Sequence, residues 1–352
     1  MSSSHTNEPI GVAVVGAGYW GPNLIRNLGN HPGFELRAVC DLDVDRARRA
    51  VGRYSTVHVT DDLESVVDDP AIGAVAIATP PSTHLPVALA CLQNGKHVLI
   101  EKPLAPSTAD ARKLVEEAEA RDLVLMCDHT FCYTPSVQRI RELIRSGVIG
   151  DVQYVDSVRI NLGLIQPDIN VFWDLAPHDL SILDFILPED RRPVMVAAQG
   201  ADPISAGKAC VGYLTLPLAG GAIAHAHVNW LSPTKIRTTI VGGTERMLVW
   251  DDTQTSQKLT MFDSGVDLRA DHQSAATRQQ ALISYRVGDI VSPALPAVEA
   301  LHNVASEFEA SIREHRAPLT DGHAGLRVLE ILERADDSLA SGGVAVPVSQ
   351  DA

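Results

Sequence analysis

The sequence predicts a two-domain chain: an N-terminal doubly wound α/β domain with a parallel sheet, then an α+β domain with a mostly antiparallel sheet and helices. Three observations carry this. Short apolar runs alternate with helical patterns from Ile10 to Cys127, the rhythm of a parallel sheet with helical crossovers. A glycine-rich turn, Gly16-Ala17-Gly18-Tyr19-Trp20-Gly21, separates the first run from the first helix. After about Ser146, β-branched and alternating runs follow one another with turn signals and few helices between them, as in an antiparallel sheet.

The elements follow in order. Ile10 to Val15 is continuously apolar and reads as a strand buried on both faces. Pro22 to Leu28 fits the first helix, Phe34 to Cys40 a second strand ending at Asp41, and Asp43 to Tyr54 an arginine-rich helix. Val57 to Val59 and Ala74 to Ala78 are the next strands. The breaker Thr79-Pro80-Pro81 precedes a helix from about Thr83 to Asn94, stopped by Gly95. His97 to Ile100, a helix from about Ser107 to Arg121, and Leu123 to Cys127 complete this half. In that helix Ala111, Leu114, Val115 and Ala118 recur at helical spacing. The second half reads as strands at Val152 to Ile160, Val194 to Gln199, Ala209 to Leu216, Ala222 to Trp230, Lys235 to Val241 and Met247 to Trp250. Helices are expected near Pro177 to Leu187, Val298 to Glu314 and Gly322 to Leu339, and the ends, Met1 to Glu8 and Gly342 to Ala352, read as frayed. Residues 1–130 and 131–352 are the expected domains, with the closing helices able to pack back on the first.

Composition narrows the function. The chain has 352 residues, 45% hydrophobic and 21% charged, enough for two cores. A net charge of −15 without a basic stripe argues against nucleic acid. No apolar run approaches the ~20 residues of a membrane span, and the N-terminus lacks the basic and apolar regions of a signal peptide. Five cysteines, odd in number and without a Cys-x-x-Cys pair, fit a reducing, cytoplasmic compartment. Cys127-Asp128-His129 and Cys132 resemble a metal cluster only faintly, and no metal is expected.

The glycine turn carries a mechanism. Gly16 allows a tight turn, Gly18 lets a diphosphate approach the backbone, and Gly21 lets helix and strand pack closely. Tyr19 and Trp20 complete the loop. The helix N-terminus then offers unpaired N–H groups and the positive end of its dipole. Asp41 lies twenty residues past Gly21, where a carboxylate takes ribose hydroxyls and repels a 2′-phosphate. This favours NAD over NADP. Arg46, Arg48 and Arg49 on the next helix read as solvated.

Lys102, in Glu101-Lys102-Pro103, stands at the carboxyl end of a buried strand, the edge where such sheets bind ligands. Asp174 and His178 are four residues apart and share a helix face. Pro177 between them requires a helix that has just begun. They admit two readings, an N-cap with a backbone-bound histidine or an acid/base pair. Oxidising a secondary alcohol with a nicotinamide needs a base near neutral pKa, a carboxylate to orient it and a cation for the alkoxide.

With these residues the chain resembles the glucose–fructose oxidoreductase/inositol dehydrogenase (Gfo/Idh/MocA) family over nearly its whole length. The shared features are Gly16 to Gly21, Ala78-Thr79-Pro80-Pro81-x-x-His84, Glu101-Lys102-Pro103, Trp173-Asp174-x-x-x-His178, and the closing helices after Pro318 to Gly322. The resemblance implies an N-terminal Rossmann domain, a C-terminal sheet whose open face makes homodimer or homotetramer contacts, and a carbohydrate pocket. It implies that Lys102 meets the nicotinamide and the reacting hydroxyl. His178 is then the acid/base, with Asp174 orienting it. Thr79, Pro80 and His84 line the cofactor crevice, and Glu101 sits by the nicotinamide ribose. Tyr133, Asn161 and Trp173 are candidates for sugar contact or for packing. Cys127-Asp128-His129 departs from the Gly-His type of sequence expected there. The activity implied is NAD-dependent oxidation or reduction at a ring carbon of a sugar, nucleotide sugar or cyclitol. An NAD-dependent redox-assisted elimination or glycosidase and a non-catalytic NAD-sensing regulator are the alternatives. Arg159, Lys235 and Arg237 are the basic groups available to a nucleotide sugar.

Overall fold

The computed structural model describes residues 8–52, 55–269 and 282–349. Among the described residues the chain forms two compact units: one runs to Thr134 and takes up Ala297–Glu333, the other holds Pro135–Pro296 and residues 334–349.

In the first unit β1 (Ile10–Val15), β2 (Phe34–Cys40), β3 (His58–Thr60), β4 (Ala74–Ile77), β5 (His97–Glu101) and β6 (Leu125–Asp128) make one parallel sheet in the order β3-β2-β1-β4-β5-β6. The order reverses between β1 and β4, the switch point at whose carboxyl ends such sheets bind ligands. Helices α1 (Gly21–Asn30), α2 (Val44–Val51), α3 (Leu63–Val67), α4 (His84–Gln93) and α5 (Thr108–Ala120) are the crossovers. Their caps are local: the Asp43 side chain accepts from Arg46 N–H, Asp62 from Glu64 and Ser107 from Asp110. Central strands are apolar throughout, and Val12 to Val14, Ala74 to Ile77 and Val98 to Ile100 have no exposed surface. Two later helices join this unit, α8 (Ala300–Glu314) and the first part of α9 (Gly322–Ala340). Arg26 on α1 holds Glu299 at the start of α8 through two hydrogen bonds, of 2.9 and 2.6 Å.

In the second unit β7 (Val152–Leu162), β8 (Met195–Ala201), β9 (Val211–Pro217), β10 (Ile223–Asn229), β11 (Leu231–Gly243), β12 (Met247–Asp251), β13 (Leu259–Arg269), β14 (Leu282–Val291) and β15 (Val346–Pro347) form a sheet in the order β14-β13-β12-β11-β7-β10-β9-β8-β15. Only β7 and β10 pair in parallel. Helices α6 (Pro135–Arg145) and α7 (Val171–Ile186) complete the unit. The face carrying Val155, Leu214, Leu216, Ala224, Ala226 and Val228 is buried, with α7 against it. The other face keeps Tyr213 and Ile223 exposed, with the Tyr213 and His227 rings stacked at 4.4 Å between centroids.

Several expectations need correction. The helix expected from Pro177 begins at Val171, so Pro177 lies inside it. The Asn170 side chain accepts from the N–H groups of Phe172 and Trp173, and this cap, not Asp174, starts the helix. Helices α3 and α6 and the hairpin strands β13 and β14 had no counterpart in the sequence reading. The helix expected over 43–54 ends at Val51, and Tyr54 lies outside the described residues. The C-terminal stretch expected to fray contains β15, paired with β8. Of the frayed N-terminal stretch only Glu8 is described, and its carbonyl accepts from Arg313.

Candidate active site

The glycine loop separates its three duties cleanly. Gly16 has φ +99°, and a Cβ there would stand 2.6 Å from the Ala78 carbonyl carbon, so this position closes the turn against the end of β4. At Gly21 a Cβ would meet the Gly16 carbonyl oxygen at 2.2 Å. At Gly18 a Cβ would meet nothing within 4 Å. That open approach to bare backbone is where a diphosphate fits. Tyr19 beside it is almost fully exposed, while Trp20 is half-buried and is the N-cap residue of α1.

Asp41 is buried and its carboxylate is already engaged. Ala17 N–H donates to Oδ2 at 2.6 Å, and Asp43 N–H donates to Oδ1 at 2.8 Å. Arg46 Nη2 donates to Oδ1 at 2.7 Å, so Arg46 is not merely solvated as the sequence suggested. Burial pushes the carboxyl up, but Arg46 and the two backbone donors outweigh it and hold it below the usual range. A carboxylate has about four acceptor positions, so Oδ2 retains capacity for a ribose hydroxyl.

Glu101 and Lys102 close β5 at the same sheet edge, and the Lys102–Pro103 bond is cis. Glu101 is directly opposite Asp128 in the β5–β6 register, and the two carboxyl groups are hydrogen-bonded. Burial and the Asp128 charge push Glu101 well above the ordinary range, against the pull of Lys102. Burial also pushes Asp128 up to about 6, although Thr130, Trp20 and Glu101 donate to it. Glu101 Oε2 is enclosed and has no hydrogen-bond partner. This orphan acceptor, with the open Gly18 approach and the carboxylate after β2, fits a dinucleotide on the carboxyl edge.

Thr79 is half-buried and Pro80 exposed on the turn after β4. His84, expected to line the crevice, has no exposed surface. Its Nε2 and Nδ1 each lie 2.9 Å from a carbonyl oxygen, of Thr79 and Pro103 respectively, so it ties two edge loops together from below. Burial lowers its pKa.

In the second unit, α7 carries Trp173, Asp174 and His178, all half-buried. Trp230 Nε1 donates to Asp174 Oδ2 at 2.8 Å, fixing that carboxylate one turn from His178 on the same helix. Trp173 Nε1 donates to Asp336 Oδ2 at 2.6 Å, which spends its polar atom on anchoring α9. Asn161 is half-buried on β7.

Other candidates move into the core. Tyr133 is 2% exposed and its hydroxyl lies 2.9 Å from Thr320 Oγ1, so it offers nothing to a sugar. Arg159 is buried and fork-bonded to Asp179, which also accepts from Ser157. Arg237 pairs with Asp252, and Lys235 is exposed. His129 is buried. The sequence reading missed Asp128, Trp230 and the Asn170 cap. Asp128 had one visible signal, an acid ending a buried strand next to the strand that ends in Glu101.

Comparison with known proteins agrees with this architecture. The chain is 32% identical to an inositol 2-dehydrogenase of Rubrobacter xylanophilus over 232 residues, 64% of this chain and 66% of that one. Across the first two relatives the match spans only 42 to 66% of their length. It is 29% identical to a UDP-N-acetylglucosamine 3-dehydrogenase of Acidithiobacillus ferrooxidans over 310 residues, 84% of this chain and 87% of that one. The solved structure of GenD2 from gentamicin A biosynthesis, in complex with NAD, superposes with a TM-score of 0.79 at 26% identity and 99% coverage of both chains. Residues 10–129 match the oxidoreductase family with an NAD-binding Rossmann fold, and residues 137–249 match the GFO/IDH/MocA C-terminal domain. The chain therefore belongs to the GFO/IDH/MocA oxidoreductase family.

Proposed function

We propose that the protein is an NAD-dependent dehydrogenase or reductase acting on a ring hydroxyl or keto carbon of a sugar, nucleotide sugar or cyclitol. Lys102, Asp174 and His178 are its catalytic residues in this reading. Bound nicotinamide supplies the hydride acceptor. His178 takes the hydroxyl proton as the general base. Asp174 holds the imidazole and the substrate, and Lys102 stabilises the developing alkoxide. Gly16, Gly18 and Gly21 with Asp41 bind the cofactor, and NAD is favoured over NADP. Thr79, Pro80, Tyr19, Trp20 and Glu101 belong to the same cofactor edge.

The observation that supports this best is the fixed Asp174 carboxylate, held by Trp230 beside His178 on one helix face. A mere N-cap would not need it, since Asn170 caps that helix. The named activities of relatives, on inositol and on UDP-N-acetylglucosamine, support the substrate class. A homodimer or homotetramer formed through the open sheet face is part of the proposal, as is a cytoplasmic location. Free, buried cysteines support the latter.

The test is a panel of sugars, cyclitols and nucleotide sugars followed by NADH absorbance. Sustained NADH formation with one of them, lost in Lys102→Ala and His178→Ala, is expected. Bond cleavage without net NADH points instead to redox-assisted elimination. Biological activity untouched in both variants points to a sensor.

A further inference from the structure

We propose that Glu101 and Asp128 form a carboxyl dyad that holds one proton in the free protein and gives up part of it to solvent when oxidised cofactor docks. Binding of the cationic ring is thereby coupled to a proton. The inference rests on the dinucleotide reading of this sheet edge and goes beyond it, because no sugar chemistry is involved.

The geometry comes first. The two carboxyl groups end adjacent parallel strands in direct register and are hydrogen-bonded to each other. Two carboxylates in such contact cannot both stay ionised in an enclosed site, so one proton is shared. Glu101 Oε2 is enclosed without a partner, whereas Asp128 accepts from Thr130 Oγ1 at 2.8 Å and Trp20 Nε1 at 3.4 Å. The proton therefore resides on Glu101 and the charge on Asp128. This agrees with the stronger upward push on Glu101.

Other groups do not take over the role. The charged or titratable groups facing the pair are Lys102 just after β5, Cys127 on β6, and Tyr133 and Cys132 in the turn that follows. Burial pushes the Cys127 thiol and the Tyr133 hydroxyl well above their ordinary values. Both stay neutral through the physiological range.

Position supplies the ligand. In a doubly wound sheet each half takes one mononucleotide. The glycine loop and Asp41 lie on the β1–β2 side, so the nicotinamide half falls to β4, β5 and β6. The dyad ends β5 and β6, and Trp20 ties it to the loop at the diphosphate position. Oxidised nicotinamide carries a positive charge and reduced nicotinamide does not. A cation near the pair favours its second ionisation, and a neutral ring does not. The sign follows: the oxidised cofactor binds more tightly as pH rises, by at most about tenfold per pH unit, and the reduced cofactor stays nearly flat.

The experiment measures dissociation constants of NAD⁺, NADH and ADP-ribose by calorimetry from pH 6 to 9, in two buffers of different ionisation enthalpy. Expected are a five- to tenfold gain in NAD⁺ affinity across the range and release of a fraction of one proton. NADH and ADP-ribose, which lack the cationic ring, change less than twofold. Glu101→Gln keeps the shape and leaves Asp128, pushed up to about 6, as the one titrating carboxyl, so its NAD⁺ affinity is flat from pH 7 to 9. An unchanged slope in Glu101→Gln, an equal slope for ADP-ribose, or no proton release with NAD⁺ overturns the proposal while leaving cofactor binding intact. Failure of all three ligands to bind the native protein overturns the cofactor reading as well. If Glu101→Gln does not fold, the native comparison of NAD⁺ with ADP-ribose decides alone.

Discussion

Arg46 Nη2 lies 2.7 Å from Asp41 Oδ1, so the carboxylate expected to greet the ribose is already paired with a cation from the next helix. This pair places both elements of cofactor choice at one point. In the proposed reading Asp41 would repel a 2′-phosphate, and Arg46 would welcome one if released.

Asp41→Asn is therefore expected to weaken NAD binding about tenfold and to strengthen NADP binding by a similar factor, each about 1.4 kcal/mol. Arg46→Ala should weaken NADP further and leave NAD within a few-fold. Titrating both cofactors against intrinsic fluorescence checks this. An Asp41→Asn variant that still rejects NADP as the native protein does would remove Asp41 from the selection.

The glycine loop predicts a split between folding and binding. Gly16→Ala forces a Cβ onto the end of β4 at positive φ, and the melting temperature should fall by several degrees, at about 2–4 °C per kcal/mol for a domain of this size. Gly18→Ala meets open space and should melt like the native protein, yet lose at least tenfold in NAD affinity. Thermal melts with and without NAD separate the two. Equal stability loss in both variants would refute the assignment.

How much was legible follows from how local each signal is. β1, β4 and β5 are continuous apolar runs buried on both faces, and they were read nearly to the residue. β14 was not, because Tyr285, Val287 and Ile290 are exposed and, among its described side chains, no buried face imposes alternation. The start of α7 was obscured by Pro177, whose helix-breaking signal outweighed the Asn170 cap seven residues earlier. Lys102, Asp174 and His178 were visible as residue types at suggestive positions. Their partners were not: Trp230 is 56 residues from Asp174, and Asp128 is 27 from Glu101. Such pairs are created by strand register and helix packing, which no local pattern encodes.

Trp230 gives the sharpest check on Asp174. Trp230→Phe keeps most of the buried ring volume but removes the donor, and a hydrogen bond to a charged group contributes about 1.5–3 kcal/mol. Turnover on the best substrate of the panel should fall roughly tenfold or more, with the NAD dissociation constant unchanged and the pH profile altered. A variant with native turnover and a native pH profile would reduce the Trp230–Asp174 bond to packing.

Tyr133 and Thr320 test whether the tyrosine is structural. Thr320 Oγ1 donates its one proton to the Cys127 carbonyl at 2.7 Å, so the Tyr133 hydroxyl must be the donor in the 2.9 Å contact between them. Tyr133→Phe removes that bond and leaves Thr320 bonded to Cys127, at an expected cost of about 1 kcal/mol. Thr320→Val strands the buried phenol, while the Cys127 carbonyl keeps the His129 N–H at 2.8 Å, and should cost about 1–3 kcal/mol. Urea unfolding of the two variants measures the asymmetry. Tyr133→Phe should also leave the substrate KM unchanged, since the side chain is enclosed. A raised KM with native stability would return Tyr133 to the sugar contacts from which its burial removes it.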